Sequence, residues 1–184
     1  MKIAFGSFSL SVLLLLLLVS CNKEPSYTPD GHIFLKLYEP NKSLPDILPL
    51  LQNENPNLIA VFVMGDSAKD DRVVLGIARM EEEKAMNLEQ AFNEFVKDVA
   101  PAQTRIVEAG SYTKGGRTLY RKISETDFGE YISLNVMYYF MENERSNIMY
   151  ELKITGASDK KEFIVEQAEK MATSVYFKPT PENK

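Results

Sequence analysis

An α+β fold, an antiparallel β-sheet flanked by helices, is what this sequence predicts, and three observations predict it. Segments of alternating apolar and polar residues come in pairs joined by short turns, as hairpins do. Two stretches with a polar start signal carry apolar residues at three- and four-residue spacing, as helices do. These helical stretches do not alternate with single strands, so the pattern is not that of a parallel βαβ array.

The chain opens with a leader. Lys2 supplies a positive start, Phe8 to Val19 an apolar run with six consecutive leucines, and Ser20-Cys21 a small residue and a cysteine. This is the layout of a cleaved export signal. An uncleaved anchor is the rival reading, but a spanning helix needs ~20 mostly apolar residues, and Gly6, Ser7, Ser9 and Ser11 shorten this run. The ending Leu18-Val19-Ser20-Cys21 resembles the lipobox of bacterial lipoproteins. That resemblance implies a diacylglycerol on the Cys21 sulfur, with palmitate-type chains, and an acylated N-terminus after cleavage. Two or more acyl chains hold a protein stably on a membrane. The expected location is therefore the cell envelope, at the outer membrane, on its periplasmic side or at the cell surface.

The chain has 21 basic and 26 acidic residues, a net charge of −5, and loss of the leader removes one lysine and no acid. Acidity excludes nucleic acid as a partner, because its phosphates are held by Lys and Arg. It equally removes a second, electrostatic attachment to anionic lipid. Cys21 is the only cysteine and His32 the only histidine. With the thiol acylated, no disulfide, cysteine nucleophile or zinc–thiolate site remains. A Ser-His-Asp triad would have to pass through His32, which stands beside Gly31 and reads as an exposed strand-entry residue. No catalytic residue, cofactor or metal is assigned.

Asn22 to Asp30, with Pro25 and Pro29, reads as a tether. Ile33 to Tyr38 alternates up to Pro40 as a strand. Ser43-Leu44-Pro45-Asp46 opens a short helix to Gln52, with Pro49 disturbing it. Leu58 to Met64 is continuously apolar, which suits a strand covered on both faces near the middle of the sheet. Arg72 to Met80 pairs with it across Gly65 to Asp71.

Asn87-Leu88-Glu89-Gln90 is a capping-box start, and Leu88, Ala91, Phe92, Phe95, Val96 and Val99 form the apolar stripe of a helix ending before Pro101. Thr104 to Thr113 and Arg117 to Glu125 are strands about Lys114-Gly115-Gly116, a turn that needs positive φ. Tyr131 to Met141, expected as the longest strand, pairs with Asn147 to Ile154 through Glu142 to Ser146. A final helix starts at Ser158 or Asp159 and turns Phe163, Ile164, Ala168, Met171, Ala172 and Val175 inward. Lys178 to Lys184 is a polar tail.

Four stretches carry a family resemblance. They are Phe34-Leu35-Lys36-Leu37-Tyr38-Glu39-Pro40, Leu88-Glu89-Gln90, Gly116-Arg117-Thr118-Leu119-Tyr120 and Thr173-Ser174-Val175-Tyr176-Phe177. Together with the element order they resemble the PsbP-like fold, an α/β/α sandwich with an antiparallel sheet between helices. A tryptophan common near the first proline of such proteins has no counterpart here, since the chain has none. The partition is then 1–20 signal peptide, 21–31 lipidated cysteine and tether, 32–177 PsbP-like domain, and 178–184 tail. The resemblance implies an accessory or assembly role with an envelope protein as partner, and brings no catalytic residues with it.

Several residues stand out as candidates. Tyr131, Met137, Tyr139, Met141 and Met149 make an apolar group on one sheet face. Covered by a helix they are core, and left bare they are a partner patch. Lys23-Glu24 resembles the short charged signal that sends some Bacteroidetes lipoproteins to the surface, and equally fits a solvated linker. Asp66-Ser67-Ala68 resembles the sequence that Bacteroidetes O-glycosylate, which makes Ser67 a modification candidate. The same loop, with Asp70 and Asp71, has carboxylates but not the spacing of a calcium loop. The reading favoured is a membrane-anchored binding or assembly module. A small carboxylate-dependent hydrolase and a passive surface or fimbria-like subunit are its alternatives.

Overall fold

A computed structural model describes residues 27–38, 41–65 and 72–178. Cys21, Lys23-Glu24, the loop bearing Ser67, and the residues after 178 lie outside the described residues.

Strand β1 (Ile33–Phe34) pairs with the closing strand β9 (Tyr176–Phe177) in a small sheet of its own. It is shorter than Ile33 to Tyr38, because only Ile33 and Phe34 find partners there and Leu35 bridges back to Tyr27. Then come β2 (Asn41–Ser43), α1 (Leu48–Gln52), β3 (Leu58–Met64) and β4 (Val73–Met86). The capping residue expected at Ser43 instead sits in β2, opposite Phe62, and α1 starts at Leu48, after Ile47 at the N-cap, with Pro49 in its first turn.

Next, α2 (Leu88–Ala91) runs on into a π-helical turn, Phe92–Val96. The strands β5 (Thr104–Lys114), β6 (Arg117–Asp127), β7 (Ile132–Phe140) and β8 (Ser146–Ala157) form a meander. A 3₁₀ turn, Ser158–Lys160, leads into α3 (Lys161–Ser174), with no side-chain cap from Ser158 or Asp159.

The main sheet is antiparallel throughout, in the order β2-β3-β4-β8-β7-β6-β5. Two expectations are corrected here. β3 lies second from an edge rather than in the middle, and its continuous apolarity reflects cover on both faces. β4, with 14 residues, outruns β7, with nine, because its Glu81-Glu82-Glu83 stretch continues as strand beyond the apolar part. Gly115 and Gly116 take φ of 58° and 77° at the β5–β6 turn, as a tight primed turn demands.

One face of the sheet carries the main core. Leu75, Ile77, Leu134, Val136, Tyr138, Leu152 and Ile154 meet Ile164, Ala168, Met171 and Ala172 of α3. Full burial of each large aliphatic side chain is worth ~1.5–3 kcal/mol. Gly156 lets α3 come close, since a Cβ there would stand 2.7 Å from Ile164 Cδ1. Ile33 and Leu35 complete this core, and Tyr150 Oη donates to Asp30 Oδ2 at 2.7 Å, fastening the entry segment to β8. The opposite face is covered by α1 and α2 at its two sides. Among the described residues, no helix is long and apolar enough to cross a membrane.

Candidate functional site

Strand alternation fixes what the second face presents. Across β6, β7 and β8, Lys122, Met137 and Lys153 share one row, and Tyr120, Tyr139 and Glu151 the next. The row of Ser124, Asn135 and Thr155 is wholly polar. The face is therefore apolar at one side and polar in the middle.

The apolar side is covered by α2. Asn87 Oδ1 accepts from Gln90 N at 2.8 Å, and Gln90 Oε1 accepts from Asn87 N at 3.4 Å, so the capping box is closed in both directions. This sets Phe92 edge-on to Tyr139 at 5.7 Å, in a second core with Ala91, Val96, Met137 and Met149. The helix then widens, with Lys97 N donating to Phe92 O at 2.8 Å. In an i→i+5 turn, Phe95 and Val99 are carried off the inward face. They are 41 % and 58 % exposed, which departs from the single stripe expected of Leu88 to Val99.

Those two side chains form one wall of a groove. Its first lobe, about 250 Å³, lies between Phe95, Val99 and Pro101 and the floor of Lys122, Asn135, Glu151 and Lys153. A second lobe of about 200 Å³ lies against Leu51, Leu58 and Val74, where Gln52 Nε2 donates to Leu58 O at 2.7 Å and pins α1 down. Glu151 and Lys153 belong to both lobes.

Most polar groups of the floor are already engaged. Lys122 is 6 % exposed, and its Nζ donates to Val96 O at 2.7 Å and to Val99 O. A cation at a helix C-terminus is favoured by the carbonyls that point there. Burial pulls the Lys122 ammonium below its ordinary value, while Glu151 and Asp98 work the other way. Tyr139 Oη donates to Glu151 Oε2 at 2.8 Å, and burial, reinforced by Glu151, pushes that phenol well up.

Beside them runs a chain of side-chain hydrogen bonds across four strands. Thr155 Oγ1 donates to Asn135 Oδ1 at 3.0 Å, Asn135 Nδ2 to Thr126 Oγ1 at 3.2 Å, and Thr126 Oγ1 meets Thr104 Oγ1 at 3.0 Å. Lys153 is different. It is half-buried and has no hydrogen bond or ion pair among the described residues.

The predicted site residues separate. Met137, Tyr139 and Met149 are buried under α2 and Met141 packs partly against them, so these four form a core layer. Tyr131 stands apart, 59 % exposed and stacked on Phe128 at 5.0 Å. His32 is exposed at the start of β1, and its backbone N donates to Asp30 Oδ1 at 2.9 Å. Lys122 and Lys153 escaped sequence reasoning. Each is the single lysine of a strand that also carries other polar residues, so nothing local in the sequence marks it.

A seven-stranded antiparallel sheet with helices on both faces is the PsbP-like α+β fold. The cyanobacterial PsbP protein, CyanoP, of Synechocystis sp. PCC 6803 is similar at a TM-score of 0.53 and 16% identity, over 84% of this chain and 91% of that one. LpqN of Mycobacterium tuberculosis, involved in cell envelope biogenesis, is similar at a TM-score of 0.50 and 11% identity, over 80% of this chain and 83% of that one. At these identities the likeness is one of fold. No protein-family model and no curated protein sequence matches the chain.

Proposed function

We propose that this chain is an accessory module of the cell envelope, held to a membrane through lipid on Cys21. It works by binding a protein segment with an acidic side chain in the groove between α1 and α2. The observation that carries the reading is Lys153, a half-buried ammonium with no hydrogen bond or ion pair among the described residues, on a floor whose neighbours are engaged. Glu151 is held by Tyr139, and Lys122 by the helix end, so these two groups serve the fold. The exposed walls, Phe95 and Val99 on one side and Val74 on the other, suit an apolar flank around that acid. The lobes are smaller than the ~300–1,000 Å³ clefts of small-molecule sites, which favours a protruding side chain over a whole substrate. The leader and the envelope role of LpqN support the location.

The test is crosslinking in intact cells from a photoreactive residue at position 99, read by mass spectrometry. A reproducible envelope protein, lost in Lys153→Glu and kept in Lys153→Arg, is the expected result. Crosslinks unaffected by Lys153→Glu would overturn the groove reading. Fractionation of Cys21→Ala tests the anchor separately, with release from the membrane expected.

A further inference from the structure

The turn between β6 and β7 presents aromatic rings to water. Phe128 and Tyr131 are 55 % and 59 % exposed and stack on one another at 5.0 Å, and Ile132 beside them is 44 % exposed. Main-chain bonds hold this turn in shape. Phe128 N donates to Tyr131 O at 3.0 Å, Gly129 N to Asp127 Oδ1 at 2.7 Å, and Asp127 N to Gln103 O at 3.1 Å. Polar residues at 128 and 131 would close the same turn, so its bonds do not account for two rings in water. An apolar tip bearing a phenol hydroxyl suits a membrane–water interface, where tyrosine rings lie at headgroup level.

The entry segment points to the same end of the molecule. Tyr27 packs edge-on to Phe62 at 4.6 Å, in the row of Leu75, Ile154 and Val136. Asp30 instead meets Tyr150, which lies opposite Phe140 at the far end of β7. Followed back from Asp30 to Tyr27, the chain therefore rises toward the end where β7 begins. Ile132 stands four residues from Val136 on β7, ~13 Å beyond that row. Six residues separate Cys21 from Tyr27 and can span at most ~20 Å. An anchor at Cys21 thus brings the turn within reach of the same bilayer.

We infer that the Phe128–Tyr131 turn is a second membrane contact, seating its rings among lipid headgroups and fixing how the domain stands on the bilayer. Asp127 and Glu130 are the charged residues of the turn, so the contact is interfacial and not electrostatic. This rests on the reading that Cys21 carries lipid, and the groove plays no part in it.

The chain has no tryptophan, so one introduced at position 131 reports from there alone. The experiment places the lipidated full chain, with Tyr131→Trp, in vesicles of phosphatidylcholine brominated high on its acyl chains. Emission is expected to shift to the blue and to be quenched relative to unbrominated vesicles, with less quenching when Phe128→Ser is added. Tyr176→Trp is the control, because Arg117 at the opposite end of β6 holds the neighbouring carbonyl of Val175, and it should stay unquenched. Vesicles that retain the protein without quenching position 131, or that quench both positions alike, overturn the inference and leave the anchor standing. Quenching that appears only with phosphatidylglycerol added also overturns it, since neither charge of the turn attracts anionic lipid. Failure of the vesicles to retain the protein at all overturns the anchor and this contact together.

Discussion

Lys122 Nζ donates to the carbonyl oxygen of Val96 at 2.7 Å, so a residue of β6 closes the end of the helix lying above it. The sheet thereby fixes the wall of the groove as well as its floor. Lys122→Met keeps the length of the stem but strands the helix-end carbonyls. Each unsatisfied buried group costs ~1–3 kcal/mol, so a lower urea midpoint with an unchanged slope is expected. Amide exchange should accelerate at Lys97 to Val99 and stay unchanged in α3.

Tyr139 supplies an alkaline signature. Burial, then Glu151, raises its folded phenol above the ordinary 10.0, and Tyr112 and Tyr150 are raised in the same sense. The contribution is fully present below pH 10.0 and lost above it, where the unfolded chain gives up its protons first. Denaturation curves at increasing pH should show stability falling above that point. Tyr139→Phe should fall less steeply there, and should be less stable at neutral pH by ~1 kcal/mol for the lost hydrogen bond.

The acid limb runs through Glu169. Its hydrogen bond from Lys114 outweighs the effect of burial, and with Tyr112 Oη donating at 2.9 Å it holds the carboxyl below the ordinary 4.5. Stability from this group is present above pH 4.5 and lost as pH falls through the lower folded value. Glu169→Gln should flatten the fall in melting temperature between neutral pH and acid. Asp30 should keep part of it, because bonds from Tyr150 and the His32 and Ile33 amides overcome burial and hold it low as well.

Gly156 tests the approach of α3. A Cβ at this position would stand 2.7 Å from Ile164 Cδ1 and 3.2 Å from Val73 Cγ1, both in the buried core. Overpacking of this kind costs ~1–3 kcal/mol. Gly156→Ala should unfold at lower urea, and Gly156→Ala with Ile164→Val should recover part of the loss.

Local chemistry was legible in the chain and tertiary chemistry was not. Asn87 and Gln90 announce their capping box because both partners lie within one turn, and Gly115-Gly116 announces its turn for the same reason. The Asn41–Ser43 strand exists only because Phe62 to Met64 lies opposite, which nothing in Asn-Lys-Ser declares. Glu81 to Glu83 carry charges that hide a strand, whose backbone follows β4 past the covered part of the sheet. The groove was hardest to read. Lys122 gains its meaning from Val96, 26 residues earlier in the chain. Phe95 and Val99 looked like core until the wider helical turn moved them outward.

The hydrogen-bonded row of Thr155, Asn135, Thr126 and Thr104 also constrains how this chain can diverge. Changing one member to an apolar residue orphans its neighbour, whereas replacing the whole row can leave no polar atom stranded. Such a set resists single substitutions and yields to concerted ones. Related sequences should therefore carry these positions either as a complete polar quartet or as a wholly apolar band, with few intermediates between.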